Sequence, residues 1–152
     1  MMNWFECKVK FDKMMDDGIQ KTVTEAYLVD ALSFTEAEAR ITEEMQPYIS
    51  GDFSVSAVRR VNLSDIFYKE GGDRWYKVKT NFITIDEKTA VEKRTASFQM
   101  VQACDFSQAL SVFMDGMKGT LADFEIASIT ETMLMDVFAA NNSRTLADKA
   151  KK

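Results

Sequence analysis

The chain has 152 residues, which fits one ordinary domain, and its hydrophobic share of 46% with eleven Phe supplies a substantial core. Histidine is absent, which excludes the usual hydrolase triads and most zinc sites. Residues 1–71 carry 8 basic and 13 acidic side chains and residues 72–152 carry 11 of each, so the whole net charge of −5 falls in the first half. An acidic protein lacks the field that drives non-specific nucleic-acid binding.

The same pattern occurs twice, about 71 residues apart. The stretches "NWFECKVKF" from Asn3 and "RWYKVKTNF" from Arg74 share a Trp, a Lys and a Phe at equal spacing. The matches continue in the same order, with a one-residue shift in the middle, as far as Phe67 and Phe138. This order predicts an internal duplication within one compact domain, with repeats at 1–71 and 72–140 and a polar tail at 141–152.

Each repeat is predicted to begin with a β-hairpin. In residues 4–11 Phe5, Cys7 and Val9 share one face and Trp4 and Lys8 share the other, and residues 75–82 alternate in the same way. A turn at Gly18 and a turn in "IDEKTA" lead into returning strands at 22–31 and 93–103.

A helix is predicted to follow each hairpin. Ser33 with Glu36 and Asp105 with Gln108 form capping-box patterns at the two starts. Each helix has apolar residues three and four apart, which predicts one buried stripe per helix. The predicted stripes are Phe34, Ala37, Ile41 and Met45, and Phe106, Ala109, Phe113 and Met117.

The two halves close with "DFSVSAVRRVNLSDIF" and "DFEIASITETMLMDVF". Sixteen residues is long for one strand, so a bulge or bend is expected near Arg59, with a split into two strands as the alternative. One ββαβ half has a single helix to cover its sheet and would be marginal alone. We therefore predict an α+β fold in which two ββαβ units form one antiparallel sheet with both helices on one face, as a pseudo-dimer.

The face opposite the predicted helices is a candidate ligand site. It combines aromatic and basic residues, which is how sheet platforms hold nucleotides or single-stranded nucleic acid, by stacking on Trp and by Lys contacts to phosphate. A structural role for the Trp residues, at the core's edge or in a subunit interface, is the alternative. The candidate residues are Trp4, Lys8, Lys10, Trp75, Lys77 and Lys79, with Arg59, Arg60 and Arg74 beside them.

Asp65 and Asp136 recur at the same place in the two repeats, two residues before a Phe. Paired carboxylates can perform acid–base chemistry or hold a metal, whereas acids on edge strands also prevent aggregation of sheets. No Gly-rich phosphate loop, nucleophile elbow or CxxC pair accompanies them, and no metal or cofactor is expected. Cys7 and Cys104 are expected to be reduced structural thiols of a cytoplasmic protein.

The strand at Arg74–Phe82 and the helix start at Asp105–Ala109, of the forms W(Y/F)xVK and DFxxA, resemble an uncharacterised family found in gut Bacteroidetes and their phages. The resemblance extends over most of the chain and implies an accessory protein of a phage or mobile element. It implies no catalytic or binding residues.

These observations favour a non-enzymatic binding protein that self-associates through exposed strand edges. It would sequester a host factor or a nucleotide-type ligand on the Trp/Lys face, with no membrane partner. A single-stranded nucleic-acid binder using the same face and an enzyme built on Asp65 and Asp136 are the two alternatives.

Overall fold

The structure is a computed structural model in which residues 3–139 are described. The predicted tail at 141–152 lies outside the described residues. In chain order the elements are strands β1 (Asn3–Met14) and β2 (Gln20–Ala31), helix α1 (Phe34–Met45), strands β3 (Phe53–Val61), β4 (Asp65–Phe67), β5 (Arg74–Ile85) and β6 (Glu92–Ala103), helix α2 (Phe106–Gly116), and strands β7 (Asp123–Glu131) and β8 (Leu134–Phe138). The chain divides into unit 1, which is Met1–Asn62 with Met133–Lys152, and unit 2, which is Leu63–Thr132.

The fold is α+β, with two sheets of four strands. The sheet of unit 1 has the order β3-β1-β2-β8, and β8 is parallel to β2 while the other neighbours are antiparallel. The sheet of unit 2 has the order β4-β6-β5-β7, and β4 is parallel to β6. Each unit therefore contains a long hairpin, a nine-residue edge strand on one side and a short parallel strand on the other.

The prediction of a single antiparallel sheet is wrong. Each sixteen-residue closing segment is divided into two strands, which is the alternative expected from its length, the first between Val61 and Asp65 and the second between Glu131 and Leu134. At the first break the Ser64 N–H donates to the Phe98 carbonyl at 2.8 Å, and at the second the Thr132 N–H donates to the Trp75 carbonyl at 2.8 Å. Because of these breaks the last strand of each sequence half joins the sheet built by the other half's hairpin.

The bulge in β3 lies three residues before the predicted position near Arg59. The register of β1 against β3 shifts between Lys8 and Val9, which leaves Ser56 of β3 as the extra residue. The register of β5 against β7 shifts between Lys79 and Thr80, which leaves Ala127 as the extra residue. Both nine-residue edge strands are thus bulged at the same position relative to their hairpins.

The two helices begin where the capping pattern predicts. The Ser33 side chain accepts the Glu36 N–H at 3.1 Å, and the Asp105 side chain accepts the Gln108 N–H at 2.8 Å. Glu36 and Gln108 return the bond by accepting the N–H groups of Leu32 and Cys104. Both capping boxes are confirmed.

Each helix covers one face of its own sheet. In unit 1 this core contains Phe5, Cys7, Val9 and Val29 against Ala37 and Ile41, and in unit 2 it contains Tyr76, Val78 and Val101 against Ala109 and Phe113. The predicted stripes are confirmed except at their first members, because Phe34 and Phe106 remain more than half exposed. No helix within residues 3–139 is long and apolar enough to cross a membrane.

Candidate binding surfaces

In unit 1 most of the residues predicted for the Trp/Lys face do lie on one face of the sheet. Lys8 and Lys10 are exposed and Trp4 is partly buried, all on the face of the sheet that α1 does not cover. Arg59 shares this face, where its guanidinium lies 2.9 Å from the Glu6 carboxylate. Arg60 lies on the opposite face, because it is the register partner of Phe5 and its guanidinium carbon is 5.7 Å from the Phe5 ring centre.

In unit 2 most of the predicted site residues on the corresponding face pack against other side chains. Trp75 is only 2% exposed and its ring packs edge-on against Tyr68, with ring centres 5.9 Å apart. The Lys77 ammonium lies 4.7 Å from the centre of the Phe98 ring, while Lys79 is exposed. Arg74 faces the other way, as the register partner of Ala103, with Glu131 at 3.9 Å. The nine predicted site residues therefore do not form one surface, and Trp75 is a core residue.

The two predicted aspartates are not brought together within either unit. Asp65 belongs to unit 2 and is the register partner of Gln99, whereas Asp136 belongs to unit 1 and is the register partner of Tyr27. Among the described residues no group of three or more His, Cys, Asp or Glu side chains has the geometry of a metal site.

An exposed flank of α2, next to its buried face, carries an apolar stripe whose first residue, Phe106, the sequence predicts to be buried. Phe106, Leu110 and Met114 are spaced four residues apart and are 55%, 39% and 45% exposed. Residues at this spacing lie along one side of a helix, over about 12 Å of its length. The corresponding positions of α1 are Phe34, Glu38 and Thr42, so the stripe of α2 is apolar at two positions where α1 is polar.

A crevice in unit 1 lies beside the end of α1 and strand β8. It has two adjoining parts of about 290 Å³ and about 210 Å³, which share Tyr27, Met45 and Tyr48 as walls. Lys13 and Glu25 line the larger part. The smaller part is lined by Tyr27, Met45, Tyr48, Met135, Asp136 and Phe138.

The crevice has a negative electrostatic character. The Tyr27 hydroxyl donates to Glu25 Oε1 at 3.0 Å, and Lys13 Nζ lies 3.7 Å from Glu25 Oε2. Burial raises the pKa of Tyr27 well above its usual value. The Glu25 carboxylate adds a smaller contribution in the same direction, and the Asp136 carboxylate adds a smaller one still. Carboxylates that disfavour a phenolate in this way favour a cation at the same place.

The equivalent position in unit 2 has different chemistry. Gln99 replaces Tyr27 as the residue opposite the aspartate of the parallel strand. Its amide oxygen accepts the Thr80 hydroxyl at 2.7 Å and its amide nitrogen donates to Ser97 at 3.1 Å. The result is a neutral, buried network where unit 1 has a charged crevice.

The two thiols, both expected to be reduced, are free but differ in environment. Cys7 is buried and Cys104 is exposed. Burial, with smaller contributions from Glu6 and Glu38, raises the pKa of Cys7 to about 12, so its thiol stays protonated and unreactive near neutral pH.

Sequence reasoning missed the stripe and the crevice for different reasons. The spacing of Phe106, Leu110 and Met114 was visible, but an apolar helix position is by default assigned to the core. The crevice depends on β8 lying beside β2, and no local pattern predicts which hairpin a short strand will join.

The protein thus has an α+β fold with two four-stranded sheets. Its candidate binding surfaces are the apolar stripe of α2 and the crevice of unit 1. The chain belongs to the family described as Domain of unknown function (DUF4494), whose model matches residues 3–140. The resemblance to an uncharacterised family is supported to this extent, while the origin in gut Bacteroidetes or their phages stays a prediction. No curated protein matches the chain significantly.

Proposed function

We propose that the protein is a non-enzymatic interaction protein that acts as a symmetric homodimer, with α2 of one copy packed against α2 of the second. The observation that carries the proposal is the exposed stripe of Phe106, Leu110 and Met114. Large apolar side chains grouped on one exposed face mark interaction surfaces more often than scattered ones do.

The stripe is self-complementary, which a two-fold interface requires. In an antiparallel pair with the axis near Leu110, Phe106 of each copy meets Met114 of the other, and sulfur–aromatic contacts of this kind are favourable. The same arrangement brings Lys118, after the end of one helix, towards Asp105 at the start of the other. Ser107 and Ser111 beside the stripe add no like-charge repulsion.

Helix pairing replaces the strand-edge association expected from the sequence. The edge strands β3 and β7 carry the bulge residues Ser56 and Ala127, and bulges on edge strands discourage pairing with another sheet. The outer edge strands β4 and β8 are only three and five residues long. An open edge of this kind offers few backbone groups to a second copy.

We also infer that the two halves of the chain arose by an internal duplication. Its support is the equal element order of the two halves, the matching capping boxes and the bulges at matching positions. Under this proposal the repeats at 1–71 and 72–140 diverged on their helices, so that the second copy gained Leu110 where the first has Glu38. The halves then differ in role as well as in sequence.

A nucleotide-type ligand on unit 1 is a second candidate. Exposed Lys8 and Lys10 beside partly exposed Trp4 favour it, whereas the buried Trp75 removes the matching site in unit 2. Single-stranded nucleic acid would use the same residues. Oligonucleotide quenching of Trp4 fluorescence that weakens with salt supports this candidate, and no quenching at low salt eliminates it. A host factor as the sequestered partner stays a prediction.

The dimer is tested by measuring mass in solution. Light scattering after size-exclusion chromatography should give twice the chain mass for the wild type, and a monomer for Leu110→Glu, which copies the residue found in α1. Ile85→Glu places the same charge at an exposed apolar residue away from α2 and should remain dimeric. A monomeric wild type at high concentration, or a dimeric Leu110→Glu variant, contradicts the proposal.

A further inference from the structure

We propose that residues 140–152, which we call the basic segment, dock on an acidic groove along helix α1. The groove lies between α1 and strand β3, is open to solvent and has a volume of about 630 Å³. The inference concerns unit 1 alone and does not depend on the proposed dimer. The residues that line this α1 groove are Thr35, Glu38, Ala39, Thr42, Glu43, Gln46 and Val55.

One flank of α1 supplies six of the seven lining residues. Their spacing of three or four residues places them side by side along the helix. Glu38 and Glu43 are exposed on this flank, and Val55 of β3, which packs against the core of unit 1, lies opposite them. The α1 groove therefore combines two carboxylates with the apolar surface of Ala39 and Val55.

The carboxylates of the α1 groove have no countercharge within residues 3–139. Neither Glu38 nor Glu43 forms an ion pair there. In α2 the residues that match Glu43 and Gln46 are Asp115 and Lys118, whose charged groups lie 3.1 Å apart. The neutral Gln46 cannot form such a pair, and the last turn of α1 has no basic residue where the helix dipole favours a cation. The α1 groove therefore attracts a positive charge from outside the helix.

The basic segment begins close to α1. The Arg40 guanidinium donates to the Asp30 carbonyl at 2.8 Å and to the Ala139 carbonyl at 3.4 Å, so the last described residue lies beside the middle of the helix. A helix with its side chains is about 10–12 Å across, and five extended residues reach up to about 17 Å. Arg144, five residues after Ala139, can therefore reach the flank of α1 that carries the groove.

The basic segment carries the charge that the α1 groove lacks. It has four basic side chains against one acid, Asp148, whereas residues 1–71 have 13 acids against 8 bases. Its large apolar residue, Leu146, suits the apolar surface of the groove. Single exposed ion pairs contribute little, but a tethered segment acts at a high local concentration, so several weak contacts add up. The tether favours this segment over a separate basic protein as the occupant. Its basic residues are Arg144, Lys149, Lys151 and Lys152.

Paramagnetic broadening in NMR spectra of the full chain tests the docking. A nitroxide label is attached to the Ala150→Cys variant in a Cys104→Ser background, because Cys104 is exposed and Cys7 is buried and unreactive. The backbone N–H signals of Thr42 and Gln46 should lose most of their intensity. Chemical reduction of the label should restore it.

Charge variants show whether the acids of the α1 groove hold the segment. Adding Glu38→Gln and Glu43→Gln to the labelled chain should abolish most of the broadening. The matched pair Glu70→Gln and Glu87→Gln removes two exposed carboxylates from unit 2 and should leave the broadening unchanged. The chemical shifts in the same spectra show that each variant is folded.

Four outcomes overturn the proposal. They are an absence of broadening at α1, broadening that persists in the Glu38→Gln and Glu43→Gln variant, and an equal loss in both double variants. The fourth is broadening that requires mixing labelled chains with separate isotope-enriched chains, which would make the segment of a second copy the occupant. Leu110→Glu, expected to be monomeric, should keep the broadening, so failure of the dimer and failure of the docking are distinguishable.

Discussion

At the residue scale, the two units differ most where β2 and β6 meet their parallel neighbours. Tyr27 in unit 1 and Gln99 in unit 2 occupy matching positions, and each makes a hydrogen bond that its neighbours dictate. Tyr27 bonds a carboxylate at the wall of a crevice, whereas Gln99 is fully buried between two hydroxyl groups. The same point of the two sheets thus holds a charged crevice in unit 1 and a neutral network in unit 2.

The buried Thr80–Gln99 pair gives a prediction about stability. Thr80→Val, which copies Val9 of unit 1, leaves the Gln99 amide oxygen without its donor and should cost roughly 1–3 kcal/mol of unfolding free energy. The double variant Thr80→Val with Gln99→Met removes both polar partners and should recover most of that loss. Urea denaturation measures both, and a double variant less stable than Thr80→Val contradicts the role given to this pair.

At the element scale, helix α2 packs closely on strand β4. A Cβ at Gly116 would lie 2.7 Å from two carbons of the Phe67 ring, which is too close for any real contact. Phe67 in turn packs edge-on against Phe113, with ring centres 6.2 Å apart. Gly116 is therefore required for the fit between the end of α2 and the strand contributed by the other sequence half.

Gly116→Ala should destabilise the protein. Overpacking of this kind costs roughly 1–3 kcal/mol, which outweighs the gain of up to about 1 kcal/mol from replacing Gly in a helix. Gly51→Ala is the matched control, because a Cβ there meets nothing within 4 Å, and it should change stability by less than about 0.5 kcal/mol. Rescue of Gly116→Ala by Phe67→Leu would identify the ring as the cause, and an unchanged melting temperature in Gly116→Ala would refute the tight fit.

The elements were largely predictable from local patterns. Alternation gave the hairpin strands, and the caps Ser33 and Asp105 gave the helix starts, because these signals come from neighbours in sequence. The division of each closing segment into two strands follows from its length of sixteen residues, but the parallel pairing of β4 and β8 was not predictable, since a three- to five-residue strand carries too little pattern to specify its partner. The crevice of unit 1 depends on that pairing and was missed with it.

At the scale of the whole molecule, the two units present different surfaces. Unit 1 holds the acidic crevice, in keeping with the excess of acidic residues in the first half of the sequence. Unit 2 presents the apolar stripe of α2 and has a neutral network in place of the crevice.

The most direct test of the α2 interface is a cysteine cross-link at the proposed two-fold axis. Leu110→Cys is made in a Cys104→Ser background, because Cys104 is exposed and Cys7 is buried and unreactive. Mild oxidation should convert most of the Leu110→Cys variant to a disulfide-linked dimer, and Ile85→Cys, at a residue more exposed than Leu110 and remote from α2, should remain monomeric on a non-reducing gel. No cross-link at residue 110, or equal cross-linking at residues 110 and 85, would contradict the proposed dimer.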